Sequence, residues 1–257
     1  MIEQLAGWIL PDRFMNKIFG GRVVTIRDGV GAGLKFDTHR ASGDYRAGLN
    51  ELPVQQALAK YLKPGDVFYD VGANVGFFTM IGARLVGESG HAYAFEPVPE
   101  NVAVIRHNAH LNRFNQVQVI QKAIGATSGK AELLLTKHPG GATLVSDHRP
   151  PDATVSVSAE LASLDDLFIN KVTTPPSVIK VDVEGAEKDV ITGMARLLRA
   201  IRPIVLFEID DENPAPFEAK AEECSNLMRA AGYDVTRLED SYTTLDWHVG
   251  HFLALPR

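Results

Sequence analysis

The run "DVGANVGFFT", Asp70 to Thr79, gathers an acid, two glycines, an amide and a hydroxyl where an apolar strand gives way to a helix. Such a turn lets a polar ligand approach the backbone closely, and Gly72 supplies the space that a bulky side chain would fill. The dinucleotide fingerprint G-x-G-x-x-G is out of register, because Asn74 and then Phe77 stand where its later glycines belong. The phosphate-cradling G-x-x-x-x-G-K-[ST] is absent too, since neither lysine nor hydroxyl directly follows Gly76. The turn is rich in glycine without being shaped for phosphate.

S-adenosylmethionine fits such a turn, having adenosine, a sulfonium, an ammonium and a carboxylate but no phosphate. Asp70 can accept from the ammonium or from a water beside it. Gly72, Ala73 and Gly76 form the turn, and Asn74 and Thr79 offer polar contacts near the backbone N–H groups of the helix start. Glu96, followed by Pro97, ends the next strand about 20 residues on, where an acid takes the two ribose hydroxyls. Ala123 and Ile124, after the third strand, are expected to pack along the adenine.

These residues need a sheet to position them. Before the turn, residues 1–50 read as an appendage: a helix to about Phe19, then "RVVTIRDG" and "GLKFDTH", which alternate like strands. Residues 51–257 read as the main domain. "LPVQQALAKYL" has helical spacing, and "VFYDV", "HAYAFEP", "VQVIQKAI", "SVIKVDV" and "PIVLFEID" are strands with helices between them. Residues 125–160 look hairpin-like, and "GAEKDVITGMARLLRAI" looks like one helix. Strands apolar on both faces and alternating with helices imply an α/β, doubly wound, mostly parallel sheet. "YDVTRL" and "GHFLALP" are joined too briefly for a crossover helix, so the last strand is expected to run antiparallel. One antiparallel strand near the end of a parallel sheet is the arrangement of class I methyltransferases, with their Rossmann-like fold, an analogy of fold alone.

The 257 residues suffice for one large α/β domain, and a net charge of −6 gives no general attraction to phosphate backbones. Nucleic acid is therefore not the expected partner. One cysteine, Cys224, excludes an intrachain disulfide. No apolar run reaches the roughly 18 residues of a membrane span, and the N-terminus lacks the basic start of a secretion signal, so a cytoplasmic protein is expected. The oligomeric state is open; Trp8 and Phe14 could pack across a dimer or simply over the active site.

"DVGANVGFFT", "AFEPVPEN", "SLDDL", "IKVDVEGAEKDVITG" and "RPIVLFEI" resemble, in order, the motif series of FkbM-type methyltransferases. The resemblance runs from about Leu49 onward, and "DVEGAE" is its most specific part. It implies S-adenosylmethionine as donor and O-methylation of a hydroxylated small molecule, such as a sugar or polyketide. It also implies that Glu51 contacts the cofactor. Where the family commonly carries an asparagine before its final apolar strand, this chain has His251.

Methyl transfer to an alcohol requires alignment of the acceptor oxygen and a base for its proton. Asp182 and Glu184, at the end of "SVIKVDV", are the candidates for base or for orienting the acceptor, with Asp182 also near the sulfonium. One of these two could instead simply cap the helix, where acids are favoured anyway, and Glu187 on the following turn could support them. Glu208, ending "LFE", is a further candidate at the crevice edge, and His251 has an imidazole suited to deprotonation near neutral pH. His107 and His110 read as solvated, and Asp210 and Asp211 as solvated loop acids. Asp182, Glu184 and Glu208 could together hold a divalent metal such as magnesium, though this is not favoured and no metal ligand is assigned. "TKHPGGATLVSDHRPPD" reads as a surface loop or an acceptor lid. Two other readings stay open: an RNA or other nucleic-acid methyltransferase, and a non-catalytic module that binds the cofactor.

Overall fold

The computed structural model describes residues 23–38, 43–135, 142–144, 155–242 and 247–257. The helix expected before Phe19, and most of the loop expected over residues 136–152, lie outside these. Strands β1 (Val23–Thr25) and β2 (Lys35–Asp37) pair antiparallel, and helices α1 (Gly43–Ala47) and α2 (Leu52–Tyr61) follow. The alternating series then runs β3 (Val67–Val71), α3 (Phe77–Val86), β4 (His91–Phe95), α4 (Pro99–Leu111) and β5 (Val117–Ile120). A side sheet comes next: β6 (Ala123–Ile124), β7 (Gly129–Leu135), β8 (Ala142–Leu144) and β9 (Val155–Ala162). The chain returns through α5 (Leu164–Ile169), β10 (Val178–Val181), α6 (Glu187–Thr192) and α7 (Ala195–Ala200). It continues as β11 (Ile204–Asp211), α8 (Pro214–Ala230), β12 (Tyr233–Arg237) and β13 (His248–Pro256).

The main sheet has the order β12-β13-β11-β10-β3-β4-β5. Its five strands from β11 to β5 are parallel, and β13 runs antiparallel to both of its neighbours, as expected from the short connection before it. The order reverses between β10 and β3, which opens a crevice at their carboxyl ends.

Strand alternation sorts the residues between two cores. Tyr69, Val71, Val181, Phe207 and Phe252 face α5 to α8. Phe68, Ala92, Val178, Leu206 and Leu253 face α2 to α4. The register aligns Asp70 with Lys180, Lys180 with Leu206, and Glu208 with His251. Asp70, Lys180, Glu208 and His251 therefore share the second face, near the carboxyl end of the parallel strands. Residues of the segment read as an appendage pack on this face. Ile26, Leu34 and Phe36 belong to the second core, and Asn108 of α4 accepts the Asp37 N–H at 2.8 Å.

Two elements differ from their sequence patterns. The expected single helix over residues 185–201 splits after Thr192, because Gly193 packs against the Gly125 carbonyl and Asp165 accepts the N–H groups of Arg196 and Leu197 at 2.9 and 2.8 Å. Those two bonds satisfy the first free donors of α7 and start a new helix. The strand expected over residues 117–124 breaks at Ile120, and Ala123 and Ile124 leave it to pair with β9. Among the described residues, no helix is long and apolar enough to cross a membrane.

Candidate active site

The crevice at the switch point encloses about 580 Å³, counting its open mouth. Gly72, Asn74, Phe95, Glu96, Pro97, Lys122, Ala123, Ile124, Leu133, Asp182, Val183, Glu184 and Ala186 line it. Gly72 has φ +81°, and a Cβ there would collide with the Asp182 carbonyl oxygen, so only glycine lets β3 and β10 end this close together. The Gly72 and Ala73 N–H groups both donate to the Phe95 carbonyl, at 3.0 and 3.1 Å, which ties the turn to the end of β4.

Glu96 is buried at that end. Its Oε2 accepts the Asn74 N–H at 2.9 Å, and its Oε1 accepts from the Val98 N–H at 2.9 Å and the Asn101 amide at 3.2 Å. Burial pushes its carboxyl up to about 7 even though these three donors pull the other way. Asp70 lies behind the crevice wall and is 1% exposed. The Thr79 hydroxyl donates to its Oδ2 at 2.5 Å, while Oδ1 has no hydrogen-bond partner. Burial raises this carboxyl to about 6, with Lys180 opposing the rise. The Asn74 side-chain oxygen is likewise buried without a donor. Orphaned buried acceptors around a glycine cradle, with a buried acid at the next strand end, fit a cofactor that brings an ammonium and ribose hydroxyls but no phosphate. S-adenosylmethionine meets that description.

Beside the crevice lies a charged cluster that Lys180 organises. This lysine is 3% exposed, donates to Asp182 Oδ2 at 2.7 Å and sits 4.6 Å from the centre of the Phe78 ring. Burial pulls its ammonium down, but Asp182, Glu51, Asp70 and Glu208 outweigh that and hold it above the usual lysine range. Glu51, at the N-terminus of α2, adopts φ +46°. Its Oε1 takes bonds from Asn50 Nδ2 at 3.0 Å and the Tyr242 hydroxyl at 3.3 Å. Its Oε2 lies 3.2 Å from His251 Nε2, and Glu208 Oε2 lies 2.6 Å from the same nitrogen. Burial lowers the imidazole's pKa, but the two carboxylates outweigh it and bring the ring to about 10. Tyr45 stacks on Phe77, 4.8 Å between ring centres, and its hydroxyl is raised by burial and by Glu51.

Glu184 follows Asp182 at the crevice rim with φ +55°. Its side chain is exposed at the rim, and desolvation by the neighbouring protein, with the charges of Asp182 and Asp210, pushes its carboxyl up to about 8. Glu187 is buried behind it and accepts the Gly185 N–H at 3.0 Å, holding the loop that presents Glu184. Six described residues other than glycine have positive φ, and Glu51, Asn74 and Glu184 are three of them. Strain of this kind collects where function over-determines the backbone.

Among the residues expected to touch the cofactor, Gly72, Asn74, Glu96, Pro97, Ala123, Ile124 and Asp182 line the crevice. Asp70, Ala73, Gly76 and Thr79 build the turn behind it, and the Thr79 hydroxyl is spent on Asp70. Glu51 lies instead against His251. The acids weighed as a possible but unfavoured metal set do not converge: Glu208 groups with Glu51 and His251 rather than with Asp182 and Glu184. His107 is buried, 3.8 Å from Asp37, and not solvated, because α4 packs that side under β2. Asp210 and Asp211 end β11 and have partners, Trp247 at 2.6 Å and Lys220 at 2.9 Å. Sequence reasoning missed Lys180, Tyr45 and Tyr242. Lys180 did leave a signal, a lysine in the middle of the apolar strand "VIKV", since a lysine in a doubly covered strand is buried only when paired.

The family model described as the methyltransferase FkbM domain matches residues 70–235. The 31-O-demethyl-FK506 methyltransferase FkbM of Streptomyces tacrolimicus is 29% identical over 210 residues, 70% of this chain and 76% of that protein. The hexuronic acid methyltransferase AglP of Haloferax volcanii is 26% identical over 156 residues, 61% of each chain. Methyltransferase 1 of Beauveria bassiana is 34% identical over 152 residues, covering 51% of this chain and 59% of that protein. The chain thus spans about three fifths of the length of the latter two. The crystal structure of a methyltransferase FkbM from Methylobacillus flagellatus superposes with a TM-score of 0.51 at 14% identity, over 84% of this chain and 56% of that one.

Proposed function

The chain belongs to the FkbM methyltransferase family, and on that premise we propose that it methylates a hydroxyl of a sugar, polyketide or related small molecule. The observation that carries this reading is the junction at Asp182, where a crevice built on a turn not shaped for phosphate meets a buried cluster of acids. When bound, S-adenosylmethionine supplies a sulfonium methyl open to in-line displacement. Glu96 accepts from the ribose, Ala123 and Ile124 pack on the base, and the acids around Lys180 favour a positive charge. Asp182, pinned by Lys180, accepts from the acceptor hydroxyl and fixes its direction. Glu184 takes the proton, since a carboxyl titrating near 8 is a stronger base than an ordinary one and is still available in mild alkali. His251, held cationic at neutral pH in the cation-free site, does not serve as that base.

Purified protein incubated with methyl-labelled S-adenosylmethionine and a panel of glycosides, polyketides and RNA tests the reading. Label is expected in an ether of a small hydroxylated acceptor. Label entering RNA instead would overturn the acceptor class, and failure to bind S-adenosylhomocysteine would overturn the whole assignment. With an acceptor found, kcat/KM should rise with pH through about 8 as Glu184 loses its proton, and Glu184→Gln should abolish that rise.

A further inference from the structure

We propose that Glu51, Glu208 and His251 form a binding site for a divalent cation of the Mn2+ or Zn2+ class. Each offers one ligand atom, and the three atoms lie within 4.8 Å of one another. Ligands about 2.1 Å from a shared ion stand about 3 to 4 Å apart, so small side-chain adjustments bring all three onto one centre.

Two details favour a shared ion over a simple ion pair. His251 Nε2 is only 2.6 Å from Glu208 Oε2 and 3.2 Å from Glu51 Oε2. Yet neither His251 Nε2 nor Glu51 Oε2 completes a hydrogen bond of good geometry, although the two carboxylates stabilise the charged ring. Both side chains are at least nine-tenths buried. The second detail is their support. Asn50 and Tyr242 occupy Glu51 Oε1 and leave Oε2 turned inward, and Ser241 Oγ lies 3.2 Å from His251 Nδ1. With Nε2 on a metal, Nδ1–H donates to Ser241, the outer partner that a ligating histidine normally has.

One nitrogen and two carboxylate oxygens suit a borderline cation better than magnesium, which prefers an all-oxygen shell. Lys180 is close enough to oppose a cation, but Asp182 and Asp70 engage its charge. The ring proton leaves to solvent as the cation arrives. Lys180, whose charge Glu51 and Glu208 share, donates to Asp182 of the crevice wall. A metal here would serve to bring an acceptor oxygen toward that wall, a use that rests on the proposed function although the site itself does not.

The test is uptake by the full chain after chelator treatment, with Mn2+ followed by electron paramagnetic resonance and Zn2+ by calorimetry. One cation per chain is expected, and Glu208→Gln and His251→Asn should each weaken it at least roughly tenfold. Ser241→Ala, which removes no ligand, should weaken it too, and it serves if the other variants fold poorly. No saturable uptake of either cation, or uptake unchanged in the variants that fold, would overturn the site. S-adenosylhomocysteine binding measured on the same samples separates the two claims, because the methyltransferase reading survives a metal-free protein that still binds it.

Discussion

Replacing Glu96 with glutamine should make the protein more stable in mild alkali and a poorer binder of its cofactor. Burial raises this carboxyl from 4.5 to about 7. A carboxyl raised in the fold contributes its stability below the unfolded value and loses it as pH climbs through the folded one. From 4.5 to about 7 the loss is worth about 3 kcal/mol, spread between pH 4.5 and about pH 8.5. Glutamine cannot ionise, so it carries none of this slope. It also presents an amide where Asn74 N–H now finds an oxygen, costing about 1 kcal/mol at any pH. The variant should therefore be about 1 kcal/mol less stable near pH 4.5 and about 2 kcal/mol more stable near pH 8.5. Urea unfolding of both proteins across that range reads the difference, to which Asp70 adds a smaller share because its charge is among those that raise Glu96. Calorimetry with S-adenosylhomocysteine should show an affinity loss of about 1.5 to 3 kcal/mol, the value of hydrogen bonds to a charged acceptor. A stability difference that stays constant with pH would refute the burial argument. Unchanged affinity would remove Glu96 from the ribose.

Gly72→Ala forces a side chain into the left-handed region against the Asp182 carbonyl, and should cost at least about 2 kcal/mol in urea unfolding along with most cofactor binding. Lys180→Met takes the central cation from four acids, and should cost about 3 to 5 kcal/mol at pH 8 and clearly less at pH 5, where protons replace it. An equal loss at both pH values would show that the lysine acts by packing alone.

The cofactor half of the site was readable because its parts are local to one βαβ unit. Asp70, Gly72 and Glu96 fall at strand ends whose spacing a crossover helix fixes, and the sheet brings those ends together. The other half depends on register between distant strands. Glu51 meets His251 only because β13 slots beside β11 with Glu208 opposite His251, and no local pattern encodes that pairing. Tyr242 carries no periodic signal, and it matters through a bond to Glu51 across most of the chain. The break between α6 and α7 was hidden for a similar reason, since Asp165 caps the second helix from a separate element.

Strand β13 has a further consequence for the order of assembly. Within the main sheet β12 touches only β13, so neither the exposed edge of β11 nor β12 itself is satisfied until β13 arrives. The two are expected to dock as a late hairpin onto a nucleus of β3, β4 and β5, whose partners (Val67 with His91, Ala92 with Val117) lie closer in sequence than those of β11 with β13 (Val205 with Ala254). A kinetic intermediate lacking that hairpin would already own its glycine turn and ribose-facing acid, while the imidazole between two acids would not yet exist.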